Sequence, residues 1–231
     1  METTAGNYTH NSAPIRNIIF DFDGTLADTS QLIVATMQKS IDDMQLPFRN
    51  EEEIKATIGV RLEEIPSILW PMISGLGDSF AKTYRNNFEI IKDKIPIILF
   101  PKVKDTLKRL REENYYMVIA TSRSHRSLEE LSNMLGIKDF FSYLLGGDDV
   151  DNGKPNPESI YKIIEKMDWK PEETMMVGDM KVDILMGKNA GIRTCAVTYG
   201  NGKERELEEA CPDWVVESFN ELRIKLLSVQ K

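Results

Sequence analysis

Asp21-Phe22-Asp23-Gly24-Thr25 places two carboxylates one residue apart, directly after the apolar run Ile18-Ile19-Phe20. Acids that close repel each other unless a proton or a cation lies between them. A hard divalent ion with oxygen ligands meets that need. Further along, Met175-Met176-Val177-Gly178-Asp179 repeats the pattern, an apolar run ending in glycine and a carboxylate, and Asp183 follows. Thr121-Ser122 comes after Tyr116–Ala120 and offers a hydroxyl and successive backbone N–H groups suited to phosphate oxygens. Lys154, in Gly153-Lys154-Pro155, adds a point charge for a phosphate or for the carboxylates. Singly, most of these have plainer readings. Thr-Ser after a strand commonly makes a turn, a loop lysine is commonly solvated, and Asp183 can serve a helix N-terminus. Together they form an inventory for phosphoryl transfer.

Such groups work only if the chain brings them to one place. Ile18–Phe20 is β-branched and aromatic without a polar break, as in a strand buried on both faces. Tyr116–Ala120, Tyr143–Leu145, Thr174–Val177, Thr194–Val197 and Trp214–Val216 are the further strands expected. Helical stripes lie between them: Val103, Leu107 and Leu110 in one, and Ile160, Ile163, Ile164 and Met167 in another, the latter opened by Asn156 as N-cap and Pro157 at the first helical position. A helix starting near Asp183 is expected to stop at Asn189-Ala190-Gly191. Strand–helix alternation predicts an α/β fold with a Rossmann-like parallel sheet covered on both faces. In such sheets the ligand site lies at the carboxyl ends of the strands, where these residues fall.

One segment breaks the alternation. From about Ser30 to Phe88 the patterns are helical. Leu32, Ile33, Thr36, Met37, Ser40, Ile41 and Met44 share one helix face, and Ile54, Ile58, Ile65, Ile68 and Leu69 indicate two more helices divided near Gly59. The expected organisation is a flexible tail over 1–14, an α/β core over 15–28 and 96–231, and an all-helical insert over 29–95. An insert rooted beside a reactive turn can cover it and exclude water. Gly59 and Arg61, between two insert helices, are candidates to face a substrate, Arg61 through a carboxylate or a second phosphate. An exposed arginine at a helix start is the equal alternative. Arg123 and His125 are expected at the surface, and His10 falls in the tail.

A net charge of −8 with scattered basic residues provides no stripe to track a nucleic-acid backbone. No apolar run approaches the ~20 residues of a membrane span, and the polar first residues lack the form of a signal peptide. A cytoplasmic protein acting on a small molecule, as a monomer or weak dimer, is the expectation. Cys195 and Cys211, too few for a disulfide framework, read as reduced thiols packed as small hydrophobes.

At this point the chain resembles the haloacid dehalogenase superfamily. Asp21-Phe22-Asp23-Gly24-Thr25-Leu26 resembles its first motif, Thr121 its second, Lys154 its third, and Gly178-Asp179 with Asp183 its fourth, in family order and spanning about residues 16–220. The insert resembles the helical cap of phosphoglycolate phosphatase and β-phosphoglucomutase relatives. The resemblance implies Asp21 as nucleophile, forming an aspartyl-phosphate, and Asp23 as general acid and base. It implies Mg²⁺ held by Asp21, the Asp23 carbonyl and Asp179, with Asp183 supporting Lys154 or the metal shell. Thr121, Ser122 and Lys154 would bind the phosphoryl group. The implied activity is a phosphatase for a small phosphorylated metabolite. A phosphomutase shares the same core residues, and a non-catalytic binding module would have no use for both Asp21 and Asp23. Dehalogenation does not suit a chain with Asp23 and Asp179, and no lysine, Lys55 included, marks phosphonate cleavage.

Overall fold

The computed structural model describes residues 13–228. Most of the expected tail, His10 included, lies outside them. The chain runs through β1 (Asn17–Phe20), β2 (Ala27–Asp28), α1 (Ser30–Asp43), α2 (Glu51–Lys55), α3 (Ile65–Leu69) and α4 (Gly77–Ile91). It continues with β3 (Ile98–Leu99), α5 (Val103–Glu112), β4 (Tyr116–Ala120), α6 (His125–Met134), β5 (Tyr143–Leu145) and α7 (Glu158–Met167). It ends with β6 (Thr174–Gly178), α8 (Lys181–Asn189), β7 (Arg193–Val197), α9 (Glu204–Glu209), β8 (Trp214–Val216) and α10 (Phe219–Ser228).

Six strands form one parallel sheet in the order β5-β4-β1-β6-β7-β8. The order reverses beside β1, and that is where a crevice opens at the carboxyl edge of such a sheet. Side chains alternate across it as a pleat requires. Ile18, Phe20, Met117, Ile119, Met175 and Val177 enter one core, roofed by Leu107 and Leu110 of α5 and Phe219 and Leu222 of α10. Ile19, Val118, Ala120 and Met176 enter the other, against Ile160 and Ile163 of α7 and Met186 of α8. The uninterrupted apolar character of β1 thus reflects burial on both faces.

Phe20 is fully buried, with ring centroids 5.6 Å from Phe219 and 6.3 Å from Phe141. Two elements depart slightly from expectation. Helix α7 begins at Glu158 with Pro157 at the N-cap position, and the Asn156 side chain accepts the Glu158 N–H at 3.0 Å. Asn156 thus makes an Asx turn one residue ahead of the N-cap position instead of capping the helix itself. Cys195 is buried, whereas Cys211 is exposed in the turn after α9, so only the first thiol is packed as a small hydrophobe.

Residues 30–91 hold four helices and no strand. Leu32, Met37 and Ile41 of α1 pack with Phe80, Tyr84 and Phe88 of α4, and Trp70 lies 5.8 Å from Phe80. Thr36 and Ser40, polar residues on the predicted apolar face, are buried and donate to the carbonyls of Leu32 and Thr36, each at 2.7 Å. Ile68 is exposed, off the stripe that Ile65 and Leu69 bury. The chain enters this segment through β2 and leaves through β3, and these two short strands pair antiparallel with Ala27 opposite Leu99. Among the described residues no helix is long and apolar enough to cross a membrane.

Because Phe20 is clamped between two rings in the core, Phe20→Ala is expected to lower the free energy of unfolding by about 3–5 kcal/mol. Urea titration followed by circular dichroism measures this, and a loss under about 1 kcal/mol would show that β1 is not anchored as described.

Candidate active site

Register decides what meets at the sheet edge. Phe20 pairs with Ile119 on one side and Val177 on the other, so Asp21, Thr121 and Asp179 leave three adjacent strands at nearly one level. The Asp21 N–H still reaches the Val177 carbonyl at 2.9 Å, holding the first acid in the sheet's frame. Gly24 then turns at φ +90°, and a Cβ there would run into the Asp179 carboxylate and Asn201. Only glycine combines that backbone with so close an approach.

Asp21, Asp179 and Asp183 are buried, and an oxygen from each lies within 4.8 Å of the others. The Lys154 ammonium is buried with them and donates to Asp21 Oδ1 at 2.5 Å and Asp183 Oδ1 at 2.7 Å. Asp183 Oδ2 accepts the Met180 N–H at 3.0 Å, which caps α8 and fixes the carboxylate. Asp179 accepts from Thr25 Oγ1 at 3.0 Å and from the Asn201 N–H at 2.7 Å. Burial, with Lys154 opposing and the neighbouring carboxylates adding, raises Asp21 well above the usual carboxylate range. Asp179 is pushed up to about 7 by burial and by Asp183. Burial alone would lower Lys154, but Asp183 and Asp21 overcome it and hold the ammonium above its ordinary value. With all three ionised, the carboxylates outnumber the one lysine among them and leave a net negative, oxygen-lined site. That excess charge and the oxygen-only donor set fit a hard divalent cation.

Asp21 and Asp23 face a cavity of about 570 Å³, within the range of small-molecule sites. Its other walls include Thr121, Ser122 and Arg123 after β4, and Ile33, Met37, Tyr84 and Phe88 from the helical segment. The Ser122 hydroxyl donates to the Gly59 carbonyl at 2.6 Å, joining the loop after β4 to the insert. Thr121 Oγ1 accepts the Arg123 N–H at 3.2 Å, tightening that turn.

Gly59 and Arg61 both line the cavity. The Arg61 guanidinium donates to the Asp151 carbonyl at 2.6 Å and to the carbonyls of Gly147 and Val150, so it ties the insert to the turn after β5. His125 lies at the surface as expected, its ring bonded to Asp149 at 2.6 Å. Arg123 does not. Its side chain is only 9% exposed, because its charge is matched by Asp23, with Nη2 2.5 Å from Oδ1, and its plane lies over Phe88 and Phe22. An arginine needs such a counter-ion to be buried, and nothing in Thr121-Ser122-Arg123 alone announces one.

Two more groups escaped the sequence reading. Thr29 Oγ1 donates to Asp23 Oδ1 at 2.6 Å from the start of α1. Asn201 approaches Asp179 from the turn after β7, where Gly200-Asn201-Gly202 follows a parallel strand and was a readable signal. Lys55 pairs with Glu51 at 2.7 Å, away from the cavity lining.

Sheet order, loop-borne carboxylates and the helical segment together define a Rossmann-like α/β protein with its chemistry at the carboxyl edge of the sheet. A family model described as haloacid dehalogenase-like hydrolase matches residues 18–197. Pyrophosphatase PpaX of Oceanobacillus iheyensis is 31% identical, over 90% of this chain and 95% of its own. A phosphoglycolate phosphatase of Vibrio parahaemolyticus is 30% identical, over 90% of this chain and 94% of its own. The crystal structure of a haloacid dehalogenase-like protein from Bacteroides fragilis superposes with a TM-score of 0.85 at 29% identity, covering 90% of this chain and 99% of that one. The chain belongs to the haloacid dehalogenase-like hydrolase family, and both curated relatives named above are phosphatases.

A cation at the carboxylate cluster has to displace the proton that Asp179 retains below about 7 in the metal-free protein. Mg²⁺ at one fixed concentration, about 100 times its Kd at pH 8, is therefore expected to raise the Tm of chelator-treated protein by about 5 °C or more at pH 8, and by less at pH 5.5. Differential scanning fluorimetry reads both values, and an equal rise at the two pH values would contradict ligation by this cluster.

Proposed function

We propose that the chain is a Mg²⁺-dependent phosphatase that hydrolyses a small phosphorylated metabolite through an aspartyl-phosphate. The observation that carries this is Asp21: a buried carboxylate at the end of the central strand, facing the cavity, with Lys154 at 2.5 Å and Asp179 and Asp183 close by. Residues 29–95 act as a cap over a core made of 15–28 and 96–231. The relatives' names specify pyrophosphate and phosphoglycolate for those proteins. Both are small and phosphorylated, which supports the same class of substrate here.

Each residue has a role that its surroundings fit. Asp21 attacks phosphorus, the bond from phosphorus to the leaving oxygen breaks, and Asp23 supplies that oxygen with a proton. Asp23 then takes a proton from a water that attacks the aspartyl-phosphate, releasing phosphate and restoring Asp21. Lys154 balances charge on Asp21 and the phosphoryl group, and Asp183 fixes Lys154 in place. Thr121 and the Ser122 backbone hold phosphoryl oxygens. Asp21, the Asp23 carbonyl and Asp179 would hold Mg²⁺, which when bound supplies positive charge that lets an anionic nucleophile approach an anionic phosphate. Thr25 and Asn201 orient Asp179 for that task.

Asp21→Asn is expected to reduce Mg²⁺-dependent phosphate release at least about 10³-fold while keeping the wild-type melting profile. Turnover within tenfold of wild type would remove Asp21 from the nucleophile's role. Asp23→Asn is expected to lose far more kcat/KM on an alkyl phosphate than on p-nitrophenyl phosphate, whose leaving group departs without a proton, with about 10²-fold or more separating the losses. Equal losses on both substrates would argue against Asp23 as the proton donor.

A further inference from the structure

Four arginines line the cavity. Arg85 pairs with Glu63 at 2.6 Å, Arg61 is engaged by backbone carbonyls, and Arg126 is exposed on α6. Arg123 stands apart, because its ionic partner belongs to the proposed reaction machinery. Its Nε donates to Asp23 Oδ2 at 3.2 Å and its Nη2 to Oδ1 at 2.5 Å, a fork set against a carboxylate. Nη1 donates to Ser127 Oγ at 3.0 Å, and the guanidinium carbon lies 5.2 Å from the Phe88 ring centre and 5.9 Å from that of Phe22.

This arrangement takes three of the roughly four positions at which the Asp23 carboxylate can accept. Oδ1 takes Arg123 and Thr29, and Oδ2 takes Arg123. A leaving oxygen or a water therefore competes with the guanidinium for Asp23, and withdrawal of Arg123 would open Oδ2 to it. Arg123, meanwhile, is walled by Phe22, Phe88 and the buried ring of Tyr84, and giving up Asp23 would leave its charge buried without a counter-ion. The exchange is favourable only when another anion takes Asp23's place. The cavity opens onto both residues, so a bound substrate can bring that anion. A fork of parallel N–H donors matches a carboxylate or a phosphoryl group, whereas a hydroxyl or an alkyl chain cannot compensate it.

We propose that Arg123 selects substrates carrying a second anionic group, a carboxylate or phosphoryl, on the leaving side of the phosphoryl group that is cleaved, and that this group draws the guanidinium from Asp23. The proposal rests on the phosphatase reading above and adds the residue that chooses among phosphate esters. The phosphate of a neutral alcohol brings nothing to exchange for Asp23.

The test compares kcat/KM of the full chain with Mg²⁺ for phosphoglycolate, pyrophosphate and ethyl phosphate. In the wild type at least one of the two anion-bearing probes is expected to exceed ethyl phosphate about tenfold or more. Arg123→Met is expected to cut that preference by about tenfold or more, and Arg123→Lys, which keeps the charge and loses the fork, to fall between. The preference is a ratio within each variant, so a merely structural loss does not move it. The better of the two probes tells a carboxylate from a phosphoryl group. Ethyl phosphate turned over as well as both anion-bearing probes by the wild type overturns the proposal without any variant. A preference that persists in a folded Arg123→Met protein overturns it too. Failure to release phosphate from all four compounds, the three probes and p-nitrophenyl phosphate, would sink the phosphatase reading and this proposal together.

Discussion

The constraint behind the whole arrangement is the burial of like charges. Asp21, Asp179 and Asp183 are brought together where water cannot screen them, and only Lys154 answers them directly among the described residues. Carboxylates crowded in this way are unstable on their own, as the upward displacement of Asp21 and Asp179 shows. A rigid frame has to force them together. The parallel sheet does so through the register of β1, β4 and β6, and the close-packed core beneath resists relaxation. What would be a defect in an ordinary core suits a positively charged ion.

The two halves of the cavity do different work. The sheet edge supplies charge, and the helical segment supplies shape. Tyr84, Phe88, Ile33 and Met37 give an apolar wall opposite Asp21 and Asp23. That wall lowers the local dielectric and strengthens every charged contact facing it. Contacts between the halves are both polar and apolar: Ser122 to Gly59, Arg61 to the turn after β5, Lys92 to Glu130, and Arg123 over Phe88.

Much of this was legible in the residues. Strand positions were readable because a doubly covered parallel sheet demands apolar runs without interruption, as in Ile18–Phe20 and Met175–Val177. Asp21, Thr121 and Asp179 were readable because each follows such a run. What stayed hidden depends on contacts distant in sequence. Arg123 looked like a surface residue until Asp23, far earlier in the chain, supplied its counter-ion. Lys154 lay in a loop that gave no sign of burial, and Asn201 needed the approach of Asp179 to acquire a role. The short strands β2 and β3 carry no periodic signal, since two residues cannot show one.

Those two strands have a consequence of their own. Because Ala27–Asp28 pairs with Ile98–Leu99, the chain leaves the sheet-bearing part and returns to it at points only one strand spacing apart, about 4.8 Å. Removing everything between would leave a gap that a short hairpin could bridge. The helical segment is in that sense a plug-in module. The register that assembles the carboxylates is set by β1, β4 and β6, none of which lies in that segment. A lineage built on this plan can change its diet of substrates while inheriting the reaction intact.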